Sequence, residues 1–262
     1  MEITLHSWYD HFTLTQTPKN IKWVKEKRPI EFYSDQFVKQ NNDNHNSALL
    51  IEPRSIQPAI YDYMLGNWYK FKYVFTHDSE LLRRIPNAKR IVFGGVYEFN
   101  DVPKTKYISF CSSDKKMCEL HKQRLQLAKD LEHTIDCMGT YNGGERVSTY
   151  DIHAEYRFSV IIENYIDDYW FTEKICNCFA NKCIPIYYGA RNIGEFFNLN
   201  GMLRAFNISQ LRDTIYILTN VADLDEMYES RLDAINDNYE RVKAFTCFED
   251  WFYNEYKELL NG

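Results

Sequence analysis

Short runs of consecutive or alternating apolar residues recur along the chain, separated by stretches where apolar positions fall three or four apart. This rhythm predicts strands and helices in alternation, an α/β architecture. In the first third, strands are expected at 3–8, 47–51, 73–76 and 90–93. Helices are expected at 58–69, where Pro58 suits a first turn, and at 79–85, where Asp78 or Ser79 suits the cap. Residues 10–40 show no clear period, and 40–46 (QNNDNHN) reads as a polar loop. A second series follows Pro103, with strands at 106–112, 134–138, 158–162 and 183–188 and helices at 118–132 and 172–181. A glycine-containing loop is expected at 141–145, and further helices at 211–220, 223–244 and 248–260. Two such series predict two Rossmann-like halves meeting near residues 100–106. The first domain would span 1–103 and the second 104–245, with 246–262 a helix crossing back to the first. Ligands commonly bind in the cleft between such halves.

The most informative segment is 158–189, FSVIIENYIDDYWFTEKICNCFANKCIPIYYG. It reads as a buried strand, a polar loop, a helix start and a second buried strand. Glu163 and Asn164 fall at the carboxyl end of the first strand, where open α/β sheets bind ligands. Lys174 lies in the first helical turn, beside free backbone N–H groups and the positive end of the helix dipole. That arrangement suits a diphosphate, with Glu173 placed to accept bonds from ribose hydroxyls. A Glu that stabilises the dipole and a solvated Lys would give the same pattern.

Composition narrows the ligand. The chain is 45% apolar and 26% charged, as expected of a globular fold. A net charge of −6 without a long basic run argues against nucleic acid, so an anion must be held by a local positive site. Aromatics are abundant, with 20 Tyr, 17 Phe and 5 Trp; they suit sugars and bases as well as cores. No apolar window is long enough to span a membrane, and the first residues lack a signal-peptide pattern. Seven cysteines, an odd number, read as reduced thiols of a cytoplasmic protein. Cys176-x-Cys178 lacks the spacing of a zinc site, so no metal is expected.

The order F-x-x-x-x-E-N, Y-x-x-T-E-K and I-P-I-x-x-G resembles the donor-binding motif of the α1,3-fucosyltransferase family, glycosyltransferase family 10. Here it comprises Phe158, Glu163, Asn164, Tyr169, Thr172, Glu173, Lys174, Ile184, Pro185, Ile186 and Gly189. Weaker similarity covers residues 106–139, where Ser112 and Ser113 follow a strand and Asp136-Cys-Met-Gly139 ends another, and runs on towards Asn220. The resemblance implies a GT-B-like fold, two Rossmann-like domains facing each other across a cleft. It implies an inverting transfer of fucose from GDP-fucose to a hydroxyl of an oligosaccharide or glycoconjugate. No cofactor would be obligatory, and a divalent cation would at most help neutralise the diphosphate. Donor-binding residues would be Arg124, Glu163, Asn164, Trp170, Thr172, Glu173 and Lys174. Lys122 and Arg146 are alternatives to Arg124, and Trp170 stands where relatives often carry a Tyr.

An inverting transfer needs a base for the acceptor hydroxyl. The resemblance points to Glu52, ten residues before Asp62-Tyr63, although Pro53-Arg54 departs from the family pattern. Arg54 could pair with Glu52 and weaken it as a base. Glu98 is a reserve candidate for acceptor binding, and Asp167-Asp168 reads as a solvated pair. Two other functions fit the same pattern: use of a different nucleotide-activated deoxysugar, and silent binding of glycan or nucleotide.

Overall fold

The computed structural model describes residues 1–13 and 15–261. Six strands form the first sheet: β1 (Glu2–His6), β2 (Lys22–Val24), β3 (Glu31–Ser34), β4 (Ser47–Leu49), β5 (Val74–Thr76) and β6 (Ala88–Arg90). Their spatial order is β2-β1-β3-β4-β5-β6, and every pairing is parallel. Helices α1 (Pro58–Asn67) and α2 (Ser79–Arg84) connect the later strands. Asp78 caps α2 by accepting the Leu81 N–H at 2.9 Å.

The second sheet contains β7 (Lys106–Cys111), β8 (Asp136–Met138), β9 (Tyr156–Ile162), β10 (Ile184–Tyr188) and β11 (Leu203–Arg204), in the parallel order β11-β10-β9-β7-β8. Helices α3 (Glu119–Leu131), α4 (Thr149–His153) and α5 (Glu173–Ala180) lie between these strands. After β11 come α6 (Ile208–Asn220), α7 (Leu224–Glu229), α8 (Leu232–Arg241) and α9 (Phe248–Asn261). Central strand β9 is apolar and buried along almost its whole length because helices cover both faces of the sheet.

Three differences from the sequence reading have local causes. The expected 90–93 strand lies two residues earlier, because Val74 pairs with Ala88 and Thr76 with Arg90. The expected 223–244 helix is broken after Glu229. There the Met227 carbonyl accepts both the Ser230 hydroxyl, at 3.1 Å, and the Arg231 guanidinium, at 3.0 Å. Residues 10–40 contain two short strands, β2 and β3, whose three and four residues are too few to show a period.

Helix α9 packs on the first sheet, although it follows the second in the chain. Phe252 is fully buried, its ring centroid 4.8 Å from that of Phe75, within a cluster that includes Phe32, Trp23 and Phe248. At its start, buried Glu249 accepts the Phe12 N–H at 2.7 Å and the Trp23 indole N–H at 3.1 Å, and also bonds the Thr13 hydroxyl. Asp250 accepts the backbone N–H groups of Lys19 and Asn20. An irregular segment thus finds partners for its backbone in distant carboxylates. Glu249→Ala should strand several buried donors and cost about 3 kcal/mol or more of stability. A urea midpoint equal to that of the unmodified chain would show that the 12–23 segment does not depend on this anchor.

Candidate donor and catalytic cleft

The junction between β9 and α5 is built around Glu163, whose residue is 0% exposed. Its carboxylate accepts the Thr172 N–H at 3.0 Å, the Thr172 hydroxyl at 2.8 Å and the Lys174 ammonium at 3.4 Å. Thr172 caps α5, and its hydroxyl also accepts from Lys174 Nζ at 2.8 Å. Burial pushes the Glu163 carboxyl up against the downward pull of Lys174. Burial also raises Glu173, but the charge and hydrogen bond of Lys174 outweigh it and hold that carboxyl below its usual value. Burial alone would depress Lys174; Glu173 and Glu163 overcome it and keep the amine protonated. Gly189 must be glycine here, because a Cβ would lie 2.2 Å from the Tyr187 hydroxyl and 2.8 Å from Glu163 Cγ.

A cleft of ≈1060 Å³ opens in front of this junction. Glu52, Arg124, Asn164, Trp170, Thr172, Glu173 and Lys174 all line it. Glu163 does not. It lies beneath the wall and positions Lys174 and Thr172 rather than facing the cleft. Arg124 projects from α3 and is 7% exposed. Its guanidinium donates to the Ile162 carbonyl and the Ser113 hydroxyl, each at 3.3 Å, and its Nε has no partner among the described residues. Burial holds its pKa below the ordinary value. Of the alternatives, Arg146 also lines the cleft, whereas Lys122 is exposed and lies 3.9 Å from Glu119. The D-x-x-G strand end closes tightly on β7: Gly139 has φ +99°, and a Cβ there would meet the Ser112 carbonyl at 2.5 Å.

His121 and Lys115 line the cleft as well, and sequence reasoning missed both. His121 stands three residues before Arg124, a spacing that places both on one helical face. Burial and the charges of Arg124, Lys115 and Lys174 push its pKa down to about 4, so the imidazole is neutral.

On the opposite wall, Glu52 follows β4. Its N–H and that of Ile51 both donate to Asp35 Oδ1, at 3.2 and 2.9 Å. Its carbonyl accepts the Tyr61 hydroxyl at 2.6 Å, and the Tyr9 hydroxyl lies 3.5 Å from its carboxylate. Burial raises the Glu52 carboxyl, with Tyr9 and the charges of Lys115 and Lys174 pulling against it. Arg54 does not pair with Glu52, because it forks onto Asp78 at 2.9 and 3.0 Å and reaches Glu80 at 3.0 Å. Asp62 is an exposed neighbour of Arg54 and takes no part in the cleft wall.

Trp170 is 4% exposed, lies against His77 with a 4.2 Å centroid separation, and donates its indole N–H to Asn164 Oδ1 at 2.9 Å. The Asn164 carbonyl in turn accepts the Ser55 hydroxyl of the first half at 3.1 Å. Asp167 is not a solvated residue: it is 3% exposed and accepts the Ser79 N–H at 2.8 Å and the Ser79 hydroxyl. Asp168 instead lies 3.3 Å from Arg191. Glu98 lines an adjoining cavity of ≈570 Å³, which shares Arg124, Glu173 and Lys174 with the cleft.

Residues 102–250 match the model of glycosyltransferase family 10 (fucosyltransferase), C-term. The chain belongs to glycosyltransferase family 10. Its family 10 fold is similar to a crystal structure of an α1,3-fucosyltransferase with GDP, at 14% identity and TM-score 0.57, covering 95% of this chain and 92% of that one. A second α1,3-fucosyltransferase structure, with GDP-fucose, is similar at 14% identity and TM-score 0.54, covering 93% of this chain and 88% of that one. No curated protein sequence matches this family 10 chain. The two parallel sheets with a cleft between them form the expected GT-B arrangement. Among the described residues, no helix is long and apolar enough to cross a membrane.

Asp35, which holds the Glu52 backbone, supplies a pH test of this wall. Burial raises its carboxyl from 3.8 to about 7. The folded state therefore retains a proton that the unfolded chain releases, and stability should fall as pH rises between these values. Asp35→Asn keeps an oxygen for the two N–H groups and removes the titration. Urea denaturation at successive pH values should give a flatter profile for the variant across pH 4–7; parallel profiles would contradict the buried neutral carboxyl.

Proposed function

We propose that this family 10 chain is an inverting fucosyltransferase that transfers fucose from GDP-fucose to a hydroxyl of a glycan acceptor. One observation carries the reading. Arg124, buried and incompletely paired, opens with Lys174 onto the cleft that Glu52 lines from the other half. Two cations and a helix N-terminus suit a diphosphate, and a partly buried carboxylate with a raised pKa suits a general base.

In this reading Arg124 forks onto phosphate oxygens, and Lys174 neutralises the charge that grows as the bond from sugar to diphosphate breaks. Glu173 receives the ribose hydroxyls. Thr172, Asn164 and Trp170 shape the wall, and Glu163 holds Lys174 in place. The acceptor oxygen attacks the anomeric carbon from the face opposite the diphosphate. Its proton passes to Glu52, and GDP leaves with the bonding electron pair. Binding of the diphosphate cancels the positive charge that lowers the Glu52 pKa, so the base strengthens once the donor is seated. No metal is obligatory in this scheme, and a divalent cation would only supplement the two side-chain charges.

The domain division belongs to the same proposal: 1–103 holds the acceptor, 104–245 holds the donor, and 246–262 returns to the first half. Gly262 lies outside the described residues. A cytoplasmic location fits the seven free cysteines. Glu52 lining the cleft favours catalysis over silent binding of nucleotide or glycan.

Glu52→Gln should lower turnover about 10²–10⁴-fold while GDP affinity stays near that of the unmodified enzyme; unchanged turnover would remove Glu52 from the mechanism. Lys174→Met should weaken GDP binding about 10- to 100-fold by calorimetry, the loss expected for a charge-assisted bond. In a thermal-shift panel of GDP, UDP, dTDP and CMP, selective stabilisation by GDP is expected. Selective stabilisation by dTDP or UDP would reassign the donor to another activated deoxysugar.

A further inference from the structure

Behind the donor wall, three side chains from separate parts of the second half converge. His153 ends α4, Cys178 lies in the last turn of α5, and Cys183 immediately precedes β10. All three are buried, at 4%, 0% and 1% exposure, and their candidate ligand atoms lie within 4.8 Å of one another. We propose that His153, Cys178 and Cys183 form a binding site for a thiophilic divalent ion, zinc being the natural occupant.

Donor type and environment agree. Two sulfurs and an imidazole nitrogen are a soft set suited to zinc, and modest contraction from this spacing brings them to bonding distance around a tetrahedral ion. His153 Nδ1 is buried without a hydrogen-bond partner, a state that metal ligation by the ring would relieve or put to use. Lys104 places its ammonium beside the sulfurs and holds it on the carbonyls of Ala154 at 2.6 Å, Asn181 at 2.5 Å and His153 at 3.4 Å. A buried ammonium held by neutral carbonyls favours thiolate at the neighbouring sulfurs. Two thiolates and an imidazole would neutralise a divalent ion, leaving one tetrahedral position for water. His153 lines the ≈570 Å³ cavity, which gives that water a route. Binding would release the thiol protons and tie α4, the end of α5 and the start of β10 together.

Cys176 is the internal control. It is equally buried, but it packs toward Gly94 and stands outside the cluster. Protein purified without a polyhistidine tag, then equilibrated with zinc and desalted, should carry about one equivalent by mass spectrometry. Cys176→Ser should retain it, and Cys183→Ser and His153→Ala should lose it. Because those variants can fail to fold, cobalt is titrated into the unmodified chain. Tetrahedral d–d bands with thiolate-to-cobalt charge transfer are expected, abolished by excess zinc. Cobalt spectra without charge transfer, zinc content below about a tenth of an equivalent, or a Cys178–Cys183 disulfide in the non-reduced peptide map would each overturn the site.

Discussion

A carboxylate without solvent contact lies at the carboxyl end of the central strand of the second sheet, and one wall of the cleft is organised around it. Removing Glu163 from water costs several kcal/mol, and three donors from Thr172 and Lys174 offset that cost. The same bonds fix where α5 begins, which way its first N–H groups point and where the Lys174 ammonium rests. Gly189 leaves the carboxylate its space from the neighbouring strand. Loss of one partner leaves the other buried and uncompensated, so this junction tolerates change poorly.

The basic residues of the cleft all come from one half, where they outnumber the acidic Asp114 and Glu173 beside them. Lys115, Arg124, Arg146 and Lys174 all belong to the second half, while the facing wall contributes Glu52 with Trp8, Tyr9 and Gln57. A chain of net charge −6 can therefore present a locally positive surface to a diphosphate without being basic overall. Neutral His121 adds a polar group without adding to the self-repulsion among those cations.

How much was legible in the sequence depended on how local the deciding interactions are. The junction of Glu163, Thr172 and Lys174 could be read because its strand, cap and helix start are consecutive, and the bonds among these three residues span no more than about one element. The placement of Phe12, Thr13, Lys19 and Asn20 could not, because Glu249 and Asp250, more than 225 positions away, accept their backbone hydrogen bonds. Asp167 reads as solvated in the sequence for a similar reason: its partner Ser79 lies 88 residues upstream. The pairing of Arg54 with Asp78 rather than Glu52 depends on a turn 24 residues away. Cys178 meets Cys183 and His153 instead of serving with Cys176, because residues two apart on a helix face different sides.

The bonds that join the halves constrain how the molecule breathes. Asp167 grips Ser79 through both carboxylate oxygens, and Ser55 reaches the Asn164 carbonyl. A hinge movement wide enough to part the walls would have to strip these groups out of a buried setting. Loop rearrangement at the rim, around the Gly143-Gly144 turn, breaks fewer such bonds. In the proposed reaction, nucleotide entry and escape would therefore favour the rim over a parting of the two walls.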